Sequence, residues 1–103
     1  MTRSEITPQT CRTMEDVRAG IDALDEKLVA LLAERMRYIE AASRIKTDRT
    51  QVRDEDRKAA VLAHAAQIWR RESLPEHVIL ELYERLVELS IAYEEQAFVQ
   101  KQD

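Results

Sequence analysis

Residues 28–46 read LVALLAERMRYIEAASRIK, and the spacing of their apolar side chains decides the fold. Leu28, Leu31 and Leu32 share a stripe with Ile39 and Ala42, at the period of an amphipathic helix. Followed backwards, the stripe continues through Leu24, Ile21, Val17 and Met14 in steps of three and four. The pattern predicts one continuous helix from about Met14 to about Lys46. Thr13 is placed to cap it, and Glu15 and Asp16 fall in the first turn, where carboxylates meet the positive end of the helix dipole. Gly20 inside the pattern costs about 1 kcal/mol relative to Ala, too little to break so regular a helix.

Residues 47–53, TDRTQVR, are polar and unpatterned and read as a loop. A second helix is expected from about Asp54 to Glu72, burying Val61, Leu62, Ala65, Ile68 and Trp69. SLPE, residues 73–76, reads as another helix start. Ser73 caps, Glu76 reaches back to it, and Pro75 occupies the first turn. The third helix runs from about Leu74 to about Val99, with Val78, Ile79, Leu82, Leu86, Leu89, Tyr93 and Ala97 on its apolar face. The expected fold class is all-α, with three helices (long, short, medium) over residues 14–100, after a loose polar leader at 1–13. At about 1.5 Å per residue, the first helix is on the order of 50 Å long. A folded chain of this size has a radius of gyration of only about 13 Å. The overhanging stripe needs a cover, and a second copy of the chain supplies one. The expectation is an intertwined homodimeric helical bundle.

Composition narrows the function. One Gly and two Pro in 103 residues, with 5% aromatics, suit a few long helices. A net charge of −4 argues against a nucleic-acid partner, which needs a basic face. No apolar run approaches the roughly 18 residues of a membrane span, and the N-terminal residues hold no secretory signal. Cys11 is the only cysteine and cannot form an internal disulfide, which suits the cytoplasm. His64 and His77 lack the spacing of metal ligands, so no metal is expected.

The chemistry lies in polar residues that interrupt apolar faces. Arg35 stands mid-stripe, with Leu31, Leu32, Tyr38 and Ile39 one turn either side and no acid on its face. Lys46 is eleven residues on, about 20° away around the helix and roughly 16 Å along it. Arg57 precedes Val61 by a turn, Ser90 and Glu94 are one turn apart on the third helix, and Arg18 precedes Asp22. Most of these have plain structural readings. Arg18 could pair with Asp22, and Arg57 with Asp54. Lys46 could face the helix dipole, Ser90 could ease helix packing, and Glu94 could be solvated. Arg35 has no such local answer, and a buried charge costs several kcal/mol unless paired. The cations Arg18, Arg35, Lys46 and Arg57 outnumber the acids Asp54 and Glu94. Together they describe a cationic pocket suited to a small multi-carboxylate ligand, which arginine's fork binds bidentately.

VRAGIDALDEKLVALLAERMRYIEAASRIK, then VRDEDRKAAVL, then LYERLVELSIAYEEQ resemble the small all-helical chorismate mutases and the related isochorismate-pyruvate lyases that form salicylate. The resemblance implies an intertwined dimer of three-helix chains. Arg18 would cross into the partner's pocket to hold one substrate carboxylate, and Arg35 would bind the other. Lys46 and Glu94 would contact the ether oxygen of the breaking C–O bond. Arg57 and Ser90 would help bind carboxylate, and Asp54 would act near the hydroxyl region. The implied reaction is the pericyclic [3,3] rearrangement of chorismate to prephenate. It needs positioning and electrostatics rather than a cofactor.

Two positions depart from the family pattern. Many members carry Glu where this chain has Lys58, a position that contacts the ring hydroxyl. The salicylate-forming relatives also lack that Glu. Most bacterial mutases carry Gln where this chain has Glu94. A carboxyl donates a hydrogen bond only when protonated, so activity is expected to rise as pH falls and Glu94 takes up a proton. The first reading is chorismate mutase in aromatic amino-acid biosynthesis. The alternative is isochorismate-pyruvate lyase in a siderophore route, and a third, of another class, is a non-catalytic helical dimer module.

Overall fold

The computed structural model describes residues 7–102. Among them are three α-helices, α1 (Met14–Ile45), α2 (Glu55–Trp69) and α3 (Glu76–Gln102), and no strand. Three short 3-10 turns, Pro8–Thr10, Arg49–Gln51 and Arg70–Glu72, punctuate them. The chain divides into two compact units, residues 1–35 and 36–103. Of the expected leader, residues 1–6 lie outside the described residues, and Pro8–Thr10 are already turned.

The start of α1 follows its sequence. Thr13 Oγ1 accepts the Asp16 N–H at 3.1 Å, and Asp16 Oδ2 reaches back to accept the Arg12 N–H at 3.0 Å. In the first unit, Leu24, Leu28, Val29 and Leu31 are all more than half exposed. Leu24, Leu28 and Leu31, members of the apolar stripe read from the sequence, are thus exposed.

In the second unit, the loop after α1 closes on itself. Gln51 Oε1 accepts the N–H groups of Thr47 and Asp48, and Asp48 Oδ1 accepts from Thr50. Val52 then drops into the core with Val87, Ile91 and Phe98, against which Val61, Leu62 and Tyr83 pack. Asp54 caps α2 by accepting the Arg57 N–H. Ala65 and Ala66 are the buried residues of α2.

Three expectations are corrected. The second helix ends as α-helix at Trp69, and residues 70–72 tighten into a 3-10 turn. Ile68 is exposed rather than buried. Ser73 does not cap α3, because it adopts the left-handed conformation (φ 58°) that ends the preceding turn. An N-cap needs extended backbone. Glu76 accordingly meets Arg70 at 3.2 Å.

The largest correction concerns α3. Its buried stripe is Val87, Ser90, Ile91, Glu94 and Phe98, while Leu82 and Leu89 on the expected face are exposed. The stripe is rotated by about one residue, roughly 100° around the axis. α3 is apolar on both of these faces, and packing against α2 and Val52 selects one of them.

Candidate active site

The end of α1 and the middle of α3 bring together two residues 48 positions apart in sequence. Lys46 Nζ lies 2.7 Å from Glu94 Oε2. Lys46 is one residue past α1 and still helix-bonded, its N–H donating to the Ala42 carbonyl at 2.9 Å. Glu94 is 5% exposed, so its solvated reading fails. Among the described residues no donor meets Oε2 along a hydrogen-bond direction, so the Lys46 contact is an ion pair with poor alignment. A buried acceptor in that state is costly and open to a further donor.

Ser90 is one turn before Glu94 and is also buried. Its hydroxyl donates back along the helix to the Leu86 carbonyl at 2.7 Å and lies 3.8 Å from Met36 Sδ. On the next turn Tyr93 donates to the Glu40 carboxylate. That bond, with burial adding to it, holds the Tyr93 phenol above its usual range. These contacts tie α1 to α3 on the N-terminal side of Lys46 and of Glu94 along their helices.

Around the start of α2 the expected site residues have other partners. Asp54 is exposed and caps the helix. Arg57 is exposed, with its N–H on Asp54. Lys58 is engaged by two carboxylates of α3, Glu84 at 2.5 Å and Glu88 at 2.7 Å. Its charge is therefore largely met within the chain. Arg53 joins this network, reaching Glu88 at 2.7 Å and Glu55 at 2.9 Å. Hydrogen bonds from Arg53 and then Lys58 pull the Glu88 carboxyl down to about 2. The same contacts raise Lys58, with Glu84 the larger cause.

In the first unit, Arg18 is exposed on α1, and Arg35 is half-buried with an interaction partner within the chain. The sequence reading missed Glu84, Glu88 and Arg53. Glu84 and Glu88 are like charges one turn apart on one helix, a repelling pair that calls for cations from elsewhere, and this was the available signal. Among the described residues no cluster of His, Cys, Asp or Glu is placed to hold a metal ion, and no helix is long and apolar enough to cross a membrane.

Comparison with known proteins identifies the family. Residues 17–95 match the chorismate mutase type II family, a span that contains Arg18, Arg35, Lys46, Ser90 and Glu94. The isochorismate pyruvate lyase of Pseudomonas aeruginosa is 37% identical over 67 residues, covering 65% of this chain and 65% of that protein. The bifunctional chorismate mutase/prephenate dehydratase of Escherichia coli (strain K12) is 36% identical over 76 residues, covering 73% of this chain and 20% of that enzyme. The enzyme of the same name from Shigella flexneri matches to the same extent. The matches thus span less than two thirds of each relative's own length. With its helical architecture and more than half its length matched, the chain belongs to the chorismate mutase type II family.

Proposed function

We propose that this chain is a chorismate mutase that rearranges chorismate to prephenate, and that it works as a homodimer in the cytoplasm. The observation that carries the reading is the buried Lys46–Glu94 pair, with Ser90 a turn away. The rearrangement breaks a C–O bond while negative charge grows on the ether oxygen. Two polar groups converging in a water-poor place are what stabilises such charge. Lys46 supplies a permanent donor, and Glu94 supplies a second once it holds a proton. Arg35, Arg57 and, from the partner chain, Arg18 would hold the two carboxylates and fix the folded substrate geometry. Asp54 would act near the ring hydroxyl. The exposed stripe Leu24, Leu28 and Leu31 supports a second copy as its cover. The bifunctional relatives' names support a role in supplying prephenate for aromatic amino acids.

A second reading, isochorismate-pyruvate lyase in a salicylate route, is favoured by one observation. Lys58 stands where many mutases have Glu, and its charge is spent on Glu84 and Glu88 rather than on a hydroxyl. Hydroxyl placement is what separates chorismate from isochorismate. The two readings part when the protein is incubated with each substrate separately. Prephenate from chorismate at enzymatic rates supports the mutase, salicylate plus pyruvate from isochorismate supports the lyase, and neither product sinks both.

A further inference from the structure

Lys101 lies two turns beyond Glu94 on α3, and seven residues bring the two side chains to nearly the same face of the helix. Its ammonium donates to three backbone carbonyls, those of Ser43, Arg44 and Lys46. A lysine has three N–H donors, and here all three are used on the last turn of one helix. These carbonyls lack intrahelical partners and carry the negative end of the α1 dipole, so a cation there is favoured. The buried Phe98 ring sits beneath the ammonium, 4.5 Å from its centroid. The contact adds a cation–π attraction and limits where the head group can go.

Residue 46 is therefore gripped twice by α3. Glu94 holds its side chain at 2.7 Å, and Lys101 holds its carbonyl at the same distance. On the other side, the Gln51 and Asp48 turn fixes the amides that follow, at Thr47 and Asp48. We infer that Lys101 is a positioning residue, which pins the α1 terminus so that the Lys46 ammonium is held ready at the ether-oxygen site. This rests on the role proposed above for Lys46. Lys101 itself touches no reacting atom in this scheme. Its removal should let the α1 end fray and widen the distribution of Lys46 positions. Misplacement by about 1 Å can cost on the order of 100-fold in rate, and fraying samples only part of that.

The test uses the full chain as Lys101→Met, Lys101→Arg and Lys46→Met variants, with steady-state kinetics on chorismate and amide hydrogen exchange. For Lys101→Met we expect kcat to fall about tenfold with KM within about twofold, as for an interaction that acts in the transition state. Exchange should quicken at the amides of residues 45–48 and stay unchanged in α2. Lys101→Arg, which keeps a charged donor, should restore most of both. Parental kcat in Lys101→Met beside an inactive Lys46→Met would overturn the positioning role alone. So would faster exchange throughout the chain, which marks a merely structural residue. Parental kcat in Lys46→Met would overturn the reading of Lys46 itself, whatever Lys101 does.

Discussion

Near the middle of α3, Glu94 meets Lys46 with its carboxylate 5% exposed and one oxygen poorly served. One to three turns earlier on the same helix, Glu84 and Glu88 hold Lys58 and Arg53 at the edge of solvent, with good hydrogen bonds on every side. The charges and residue types are alike, and the surroundings are opposite. Burying the first pair carries a desolvation cost of several kcal/mol per ion, which imperfect geometry does not return. The second network costs little to form and ties the start of α2 to α3, with each exposed pair adding modestly. The difference teaches which of the two serves structure alone. An arrangement that loses stability without a structural gain is intelligible as a binding or catalytic site.

The sharpest way to break this contrast is to remove each member of the buried pair. Lys46→Met or Glu94→Ala should cut kcat for chorismate by about 100-fold or more, the scale of losing one preorganised donor. Thermal melting should show only a modest cost, below the about 3–5 kcal/mol of a fully buried broken pair, because Lys46 keeps some contact with water. Turnover near parental in both variants would erase the functional side of the comparison. Next in size is Glu94→Gln. An amide donates without first taking up a proton, so kcat for chorismate should stay within about tenfold of the parent and well above that of Glu94→Ala. A loss as deep as in Glu94→Ala would show that a donor at this position does not suffice.

The smallest effect should come from the exposed network. Glu88→Gln should lower Tm by a few degrees at neutral pH, less so in high salt, and leave kcat within about twofold. Its pH dependence follows from the depressed carboxyl. The Glu88 value is near 2 in the folded chain against 4.5 for an ordinary glutamate. Its contribution is therefore complete above about pH 4.5 and is lost as pH falls towards 2. Parent and variant melting curves should converge across that window. A gap that persists below it would place the stabilisation somewhere other than the carboxylate charge.

Much of this was legible in the residues. The helices, the Thr13 cap and the polar punctuation at 47–53 follow from local spacing, and local rules operate whatever the tertiary context. Ser90 and Glu94 were visible as polar residues interrupting an apolar repeat, with a solvated Glu94 still open. The site pairing was only half visible. Lys46 could be seen from the helical period to share a face with Arg35, but its meeting with Glu94 was available only through the family resemblance, because nothing in a helical period relates residue 46 to residue 94. Lys58 could be seen to depart from the family pattern, but its capture by Glu84 and Glu88 could not.

The sequence by itself determined an all-α chain with a long first helix, its apolar stripe and the cationic residues it carries. Hydrophobic periodicity and capping are one-dimensional signals, and they suffice for that. Only the tertiary structure decided which face of α3 is buried. Leu82 and Leu89 offered one apolar stripe, and Val87, Ile91 and Phe98 offered another about 100° round the same helix. Periodicity cannot rank two stripes of similar hydrophobicity. Contact with Val52, Val61 and Leu62 can, and in choosing the second it carried Glu94 to Lys46.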